Sequence, residues 1–275
     1  MLSVQTYLRS GKTLDDLNAE LGIRACHHPT DPLVILNYDQ IKSNPKTHPI
    51  VRESRALVLE VDTWNCISKS FNRFFNWGEV QDEMPLFRFD DFWVSHKADG
   101  SFVAIFNYRN RWYANTRGSF GLDMIHPSLP YTWHQAFCQA MSIQDIQDLN
   151  RYLDPKLTYI CEFCSPWNKV VRRYEKPVMY LLTAFLGTQE LTPAQVDAQT
   201  PPVMVRNERI GCKSLEEIQE YIRRMEKEDP TYEGVVMCDC NFMRWKVKSA
   251  TYVGLHKMRD GDNIFLSKNL LPFIL

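Results

Sequence analysis

The sequence predicts an α+β fold of antiparallel sheets with peripheral helices. Three observations carry that expectation. Short β-prone runs of aliphatic and aromatic residues recur along the chain and are joined by tight polar turns. Amphipathic segments are fewer and open on helix-capping residues. The 275 residues are 44% hydrophobic and 12% aromatic, enough to enclose a sizeable core.

Taken in order, Thr13 with Asp15 and Asp16 reads as the capped, acid-rich start of a helix that places Leu14, Leu17 and Leu21 on one face. Residues 33–38 form a strand, and a polar loop follows through Pro49. Residues 55–61 and 66–71 are expected to pair across a turn at 62–65. Arg52, Arg55 and Arg73 bracket this hairpin, either as solvated surface groups or as guanidinium forks that grip phosphate. Two β-prone runs within 92–106 flank the polar centre Lys97-Ala98-Asp99-Gly100, so a hairpin presenting Lys97 at a strand end is expected. Residues 111–116 are another strand, running into the turn at Arg117-Gly118, which can approach a phosphate or ribose closely.

A helix is expected over 131–153, with Trp133, Phe137, Ala140 and Met141 at spacings of three and four. Strand character returns at 157–164, where Glu162 lies among apolar neighbours and needs a cation or metal to offset its desolvation. An apolar strand at 178–186, a helix start at Thr192-Pro193 and a capping box at Ser214 opening a charged helix to about residue 228 come next. The last strand pair begins at Glu233-Gly234, turns at 239–241 and returns through 242–248. Alternation sends Lys246 and Lys248 to one face of the return strand, Trp245 and Val247 to the other. The lysine pair is either a solvated face or a compact site for a triphosphate.

Lys and Arg total 32 against 33 Asp and Glu, so no global field draws in nucleic acid, and any polyanion site is a local basic groove. The eight cysteines include Cys161 with Cys164 and Cys238 with Cys240, spacings that fit buried thiols of a reducing, cytoplasmic setting better than zinc. No basic-then-apolar leader follows Met1 and no apolar run approaches ~18 residues, so neither secretion nor a membrane span is expected. Lys97, held at a strand end and partly desolvated, can lose its proton and act as a nucleophile; the alternative is a surface hairpin with a charged turn.

Lys97-x-Asp99-Gly100, strand-borne Glu162, Glu233-Gly234 and Lys246-x-Lys248 follow one another in this order, each on or beside a predicted strand. The set resembles motifs I, III, IV and V of the covalent nucleotidyltransferases, the superfamily of polynucleotide ligases and RNA capping enzymes. Within it the chain is most similar to the RNA ligase 1 family, the T-even phage tRNA-repair type. The resemblance extends to Ser54-Arg55-Ala56-Leu57-Val58, to Arg73-Phe74-Phe75-Asn76-Trp77-Gly78-Glu79, and to Ser165-Pro166, Asn168, Val170-Val171 and Tyr174 after Glu162. It continues through Ser249, Tyr252-Val253 and Leu255-His256, and covers residues 33–260.

The resemblance implies an ATP-grasp-like ligase core, a nucleotidyltransferase in which the ATP groove lies between the sheets. It implies an ATP-dependent RNA ligase in which Lys97 becomes bonded to AMP, with Lys246, Lys248 and Glu233 as its further catalytic groups. Tyr38, Arg55, Arg73, Glu162, Glu233, Lys246 and Lys248 would contact ATP, and Glu162 and Glu233 would anchor Mg2+, or Mn2+ in its place. Asp99, Arg117 and Tyr252 would serve the substrate side, RNA would be the partner, and a separate end-healing kinase or phosphatase would prepare the ends. The expected division is an amino-terminal portion 1–90, an adenylyltransferase core 91–260 and a short tail 261–275. Only residues 249–275 follow Lys248, too few for the oligonucleotide-binding barrel of DNA ligases and capping enzymes, and also fewer than the further helical domain usual in the family. Arg73 stands where the family commonly has Lys; its wider fork can still hold a phosphate. A non-catalytic RNA-binding module is the other alternative, disfavoured by the intact lysine, both glutamates and the lysine pair.

Overall fold

The computed structural model describes residues 1–125 and 131–259, so the expected tail at 261–275 lies outside the described residues. It is an α+β chain whose described strands form sheets of four, six and five. Two compact units are interleaved along the sequence. One holds Met1–Arg73, Ser101–Asn168 and Lys176–Arg206; the other holds Phe74–Gly100, Lys169–Glu175 and the chain from Asn207 onward. The expected division at residue 90 does not coincide with these units, because residues 1–73 share theirs with the strands after Gly100.

In the first unit, Ile23–His27, Leu33–Tyr38, Arg55–Glu60 and Cys66–Ser68 form the four-stranded antiparallel sheet. The run Leu33-Val34-Ile35-Leu36 is apolar throughout because both faces are covered. Val34 and Leu36 meet Val4, Leu8 and Leu17, whereas Leu33 and Ile35 meet Phe106, Tyr108 and Tyr113. Leu17 comes from the helix Leu14–Leu21, where Thr13 Oγ1 accepts the Asp16 N–H at 3.1 Å and the Asp16 carboxylate accepts that of Thr13 at 2.8 Å. The hairpin partner expected over 66–71 pairs only through Cys66–Ser68.

The six-stranded sheet runs Gln189–Glu190, Val178–Leu186, Leu157–Cys164, Ser101–Tyr108, Arg111–Asn115, with Val205–Arg206 added parallel to Val178–Leu186. Val103, Ile105, Cys161 and Phe163 pack on Ala136, Phe137 and Leu149. The single helix expected over 131–153 is broken into Trp133–Ala140 and a 3-10 helix, Ile146–Arg151. Ser142 turns left-handed at φ 55°, and Asp145 then caps a new start by accepting the Gln147 N–H at 2.8 Å.

The second unit holds the five-stranded sheet, in the order Arg209–Ile210, Phe92–His96, Gly234–Asp239, Arg244–Lys248, Phe75–Asn76. Val94, Val235, Met237 and Trp245 bury one face against Ile218 and Ile222 of the helix Leu215–Glu228. Ser214 caps that helix by accepting the Glu217 N–H at 3.2 Å, but the Glu217 carboxylate binds the Lys213 N–H at 2.7 Å rather than closing the expected box. The hairpin expected within 92–106 does not form. Phe92–His96 pairs with Gly234–Asp239, while Ser101–Tyr108 pairs with Leu157–Cys164 in the first unit, so Lys97 to Gly100 is a crossing segment. None of the described helices is long and apolar enough to cross a membrane.

Candidate active site

In the second unit the site is assembled by a glycine. Gly234 sits at φ +129°, and a Cβ there would lie 2.2 Å from the Val247 carbonyl oxygen, so only glycine allows the two strands to approach this closely. Its carbonyl accepts the Lys97 N–H at 2.9 Å, and the Glu233 carbonyl accepts the Ser249 N–H at 3.0 Å. These bonds bring three charged side chains together. The Glu233 carboxylate, 4% exposed, lies 2.9 Å from Lys97 Nζ through Oε2 and 3.0 Å from Lys248 Nζ through Oε1. A carboxylate this buried is costly without cations, and the two ammonium groups supply them. Lys246 projects from the same face, its Nζ 4.6 Å from the centre of the Phe74 ring, and the Lys248 Nζ is 5.5 Å from that of Tyr252.

Asp99 anchors the turn that carries Lys97. Its buried carboxylate accepts the Tyr252 hydroxyl at 2.7 Å and the N–H groups of Val171 and Arg172 at 2.8 and 2.7 Å. Tyr252 is 1% exposed, and burial, then nearby Glu233, push its hydroxyl pKa well above the ordinary range. Its hydroxyl is donated to Asp99, which ties the helix carrying Tyr252 to the segment carrying Lys97. Tyr252→Phe leaves one carboxylate oxygen short of a donor; about 2 kcal/mol of stability should be lost, read from the denaturant midpoint.

The other expected residues lie in the first unit. The Arg55 guanidinium carbon stands 4.4 Å from the ring centre of Phe71 and 4.8 Å from that of Phe102. Burial lowers its pKa to about 10, with Arg117 acting in the same direction and Tyr38 and Glu162 opposing, so it stays charged at neutral pH. Glu162 is half-buried, opposite Phe102 and Tyr180 on the neighbouring strands. Tyr38 carries Arg73 at 4.2 Å and Arg117 at 4.9 Å from its ring centre. Three arginines and Glu162 therefore form an electropositive cluster stacked on aromatic rings.

A group the sequence reading missed organises this cluster. Lys69, 4% exposed, donates to the Ser70 carbonyl and to Asn72 Oδ1 at 2.8 Å, pinning the loop that delivers Phe71 and Arg73. Burial lowers its pKa from 10.5 to about 8. Between those values the unfolded chain binds the proton more tightly than the folded one, so the penalty is complete below about pH 8 and fades as pH rises to 10.5. Wild-type stability should therefore rise over that window relative to Lys69→Met, by on the order of 3 kcal/mol at full extent, measured by denaturation at a series of pH values.

Among the described residues no group of three or more His, Cys, Asp or Glu is placed to hold an ion, and both Glu233 oxygens already face lysines. The metal-anchoring role expected of Glu233 thus competes with its two ion pairs.

A sheet face with paired lysines bridged by a buried glutamate, in an antiparallel α+β core, is the arrangement expected of a nucleotidyltransferase-type ligase. The family profile for RNA ligases, of the RNA ligase 1 type, matches residues 53–252, and the chain belongs to that family. It is 27% identical over 272 residues to a candidate bifunctional polynucleotide kinase/RNA ligase of Autographa californica nuclear polyhedrosis virus, covering 94% of this chain and 38% of the relative. It is 23% identical over 283 residues to the RNA ligase of Rhodothermus phage RM378, covering 80% of this chain and 64% of that protein. The chain thus spans less than two thirds of both relatives. An archaeal ATP-dependent RNA ligase superposes with a TM-score of 0.61 over 97% of this chain and 71% of its own, at 16% identity, which reflects a shared fold.

Proposed function

We propose that this chain is an ATP-dependent RNA ligase that joins 5′-phosphate and 3′-hydroxyl RNA ends through a covalent lysine–AMP intermediate. The observation that carries the reading is the Lys97–Glu233–Lys248 bridge on a face that also presents Lys246. In the first step Lys97 Nζ attacks the α-phosphorus of ATP, an N–P bond forms, pyrophosphate leaves with the bridging oxygen, and the amine gives up its proton. Glu233, 2.9 Å away, is positioned to take that proton. Lys248 and Lys246 offset the charge that gathers on the five-coordinate phosphorus. In the second step a 5′-phosphate oxygen of RNA attacks the same phosphorus, breaking the N–P bond and restoring Lys97. In the third a 3′-hydroxyl attacks the 5′-phosphate, closing the phosphodiester as AMP departs; both are displacements governed by alignment and charge.

By family resemblance Tyr38, Arg55, Arg73 and Glu162 are assigned to the nucleotide and Arg117 to the nucleic acid. The stacked, charged guanidinium groups support that assignment. Mg2+, or Mn2+ in its place, would come with the ATP phosphates and neutralise charge on pyrophosphate, held largely by phosphate and water. The joint kinase/ligase name of the viral relative supports a polynucleotide kinase activity as the supplier of ends. The reading places the enzyme in the cytoplasm, where its thiols stay reduced.

The test is incubation with ATP or GTP labelled in the α-phosphate, followed by denaturing gel analysis. Covalent label from ATP is expected, and label from GTP alone overturns the adenylate reading. Joining assays on single-stranded RNA, a nicked duplex and a cleaved tRNA-like hairpin then define the substrate; sealing of DNA but none of these RNAs overturns the choice of polymer.

A further inference from the structure

The face of the five-stranded sheet opposite its core continues past the lysines. Trp245 and Val247 are packed into the core, so Arg244, Lys246 and Lys248 form one row on the other face. Each cation of the row has an aromatic partner: Tyr252 for Lys248, Phe74 for Lys246, and Phe242, at 5.9 Å from its ring centre, for Arg244. Trp93 lies on the same face, opposite Cys238 on the strand between, and meets Phe242 edge-on with ring centres 5.9 Å apart.

The turn that presents Phe242 is firmly built. Fully buried Asp239 accepts the N–H groups of Asn241 and Met243, each at 2.9 Å, and that of Arg88 at 3.1 Å. Phe242 itself is left-handed, at φ 60°, a conformation that Asn or Gly adopts more readily than a bulky aromatic residue. The turn therefore tolerates a poorly suited backbone while keeping a half-buried ring beside a guanidinium and an indole. Nothing in the lysine-loading step uses these three residues.

We infer that Trp93, Phe242 and Arg244 form a contact site for a single strand of RNA. The rings offer a stacking surface for an unpaired base and the guanidinium a fork for its phosphate. Arg244 lies four residues from Lys248, roughly 13 Å along the strand, so a ligand engaging both ends of the row is an extended polyanion. This inference rests on the ligase reading and gives its RNA a place on the same sheet face.

The test uses the full chain and three variants: Arg244→Gln, Trp93→Leu and Phe242→Asn. Fluorescence anisotropy with a labelled single-stranded RNA, over a salt series, is expected to show about tenfold weaker binding for each. Arg244→Gln should also flatten the salt dependence by close to one counterion, while the aromatic variants leave it unchanged. Covalent labelling by ATP without RNA should stay within about twofold of wild type, and joining of pre-adenylated RNA should fall with binding. Phe242→Asn should melt at or above the wild-type temperature, since it relieves the backbone while removing the ring. Unchanged RNA binding in all three overturns the inference, as does a raised KM for ATP in the labelling step, which would assign the cluster to the nucleotide. If the wild-type chain takes no label from ATP the ligase reading fails, whereas the anisotropy series still decides the contact site by itself.

Discussion

Glu233→Gln should slow covalent labelling by ATP about 10²- to 10³-fold, and Lys97→Ala should remove it altogether. The two substitutions act differently on one bridge. Lys97→Ala deletes the amine proposed to bond to phosphorus but leaves Glu233 paired with Lys248 at 3.0 Å, so the fold should persist. Glu233→Gln keeps the amine yet removes the only negative charge of the bridge, leaving two ammonium groups facing a neutral amide. Removing one member of a buried ion pair costs about 3–5 kcal/mol, and the partial exposure of both lysines places the expected loss near the lower end. Labelling and thermal melting on the same preparations check both outcomes. Persistence of label in Lys97→Ala would move the nucleophile elsewhere.

Gly234→Ala should be as damaging, for a reason that involves no charge. The added methyl would stand 2.2 Å from the Val247 carbonyl oxygen and 2.8 Å from the Lys248 Cα, both backbone atoms that cannot swing aside. The strands must part, and with them Glu233 and Lys248. A loss of about 3 kcal/mol or more, with labelling reduced at least ~100-fold, is expected. Gly211→Ala is the matched control: nothing lies within 4 Å of the place its methyl would take, and it should shift stability by less than ~0.5 kcal/mol. Equal behaviour of the two variants in melting and labelling would count against the close approach.

Much of this was legible in the sequence, because periodicity and capping are local. The strands at Leu157–Cys164 and Val178–Leu186, the helix start at Thr192 and the lysine face of Arg244–Lys248 follow directly from residue pattern. Pairing partners are not local. Phe92–His96 and Ser101–Tyr108 look like two arms of a hairpin, yet Phe92–His96 pairs with Gly234–Asp239, and Ser101–Tyr108 lies between Arg111–Asn115 and the distant Leu157–Cys164. The same limit hid the rings of Phe71 and Phe102 around Arg55, the buried ammonium of Lys69, and the bond from Tyr252 to Asp99 that spans 153 residues. Ser249 was within reach: a serine directly before the helix Ala250–Arg259, its hydroxyl accepts the Tyr252 N–H at 3.2 Å as a cap would.

The interleaving of the two units sets a timetable for synthesis. A ribosome releases Phe92–His96 long before Gly234–Asp239 and Arg244–Lys248, the strands that complete its sheet. Until then the amine of residue 97 has neither its glutamate nor its second lysine, so the bridge on which the proposed chemistry rests cannot form before residue 248 has been made.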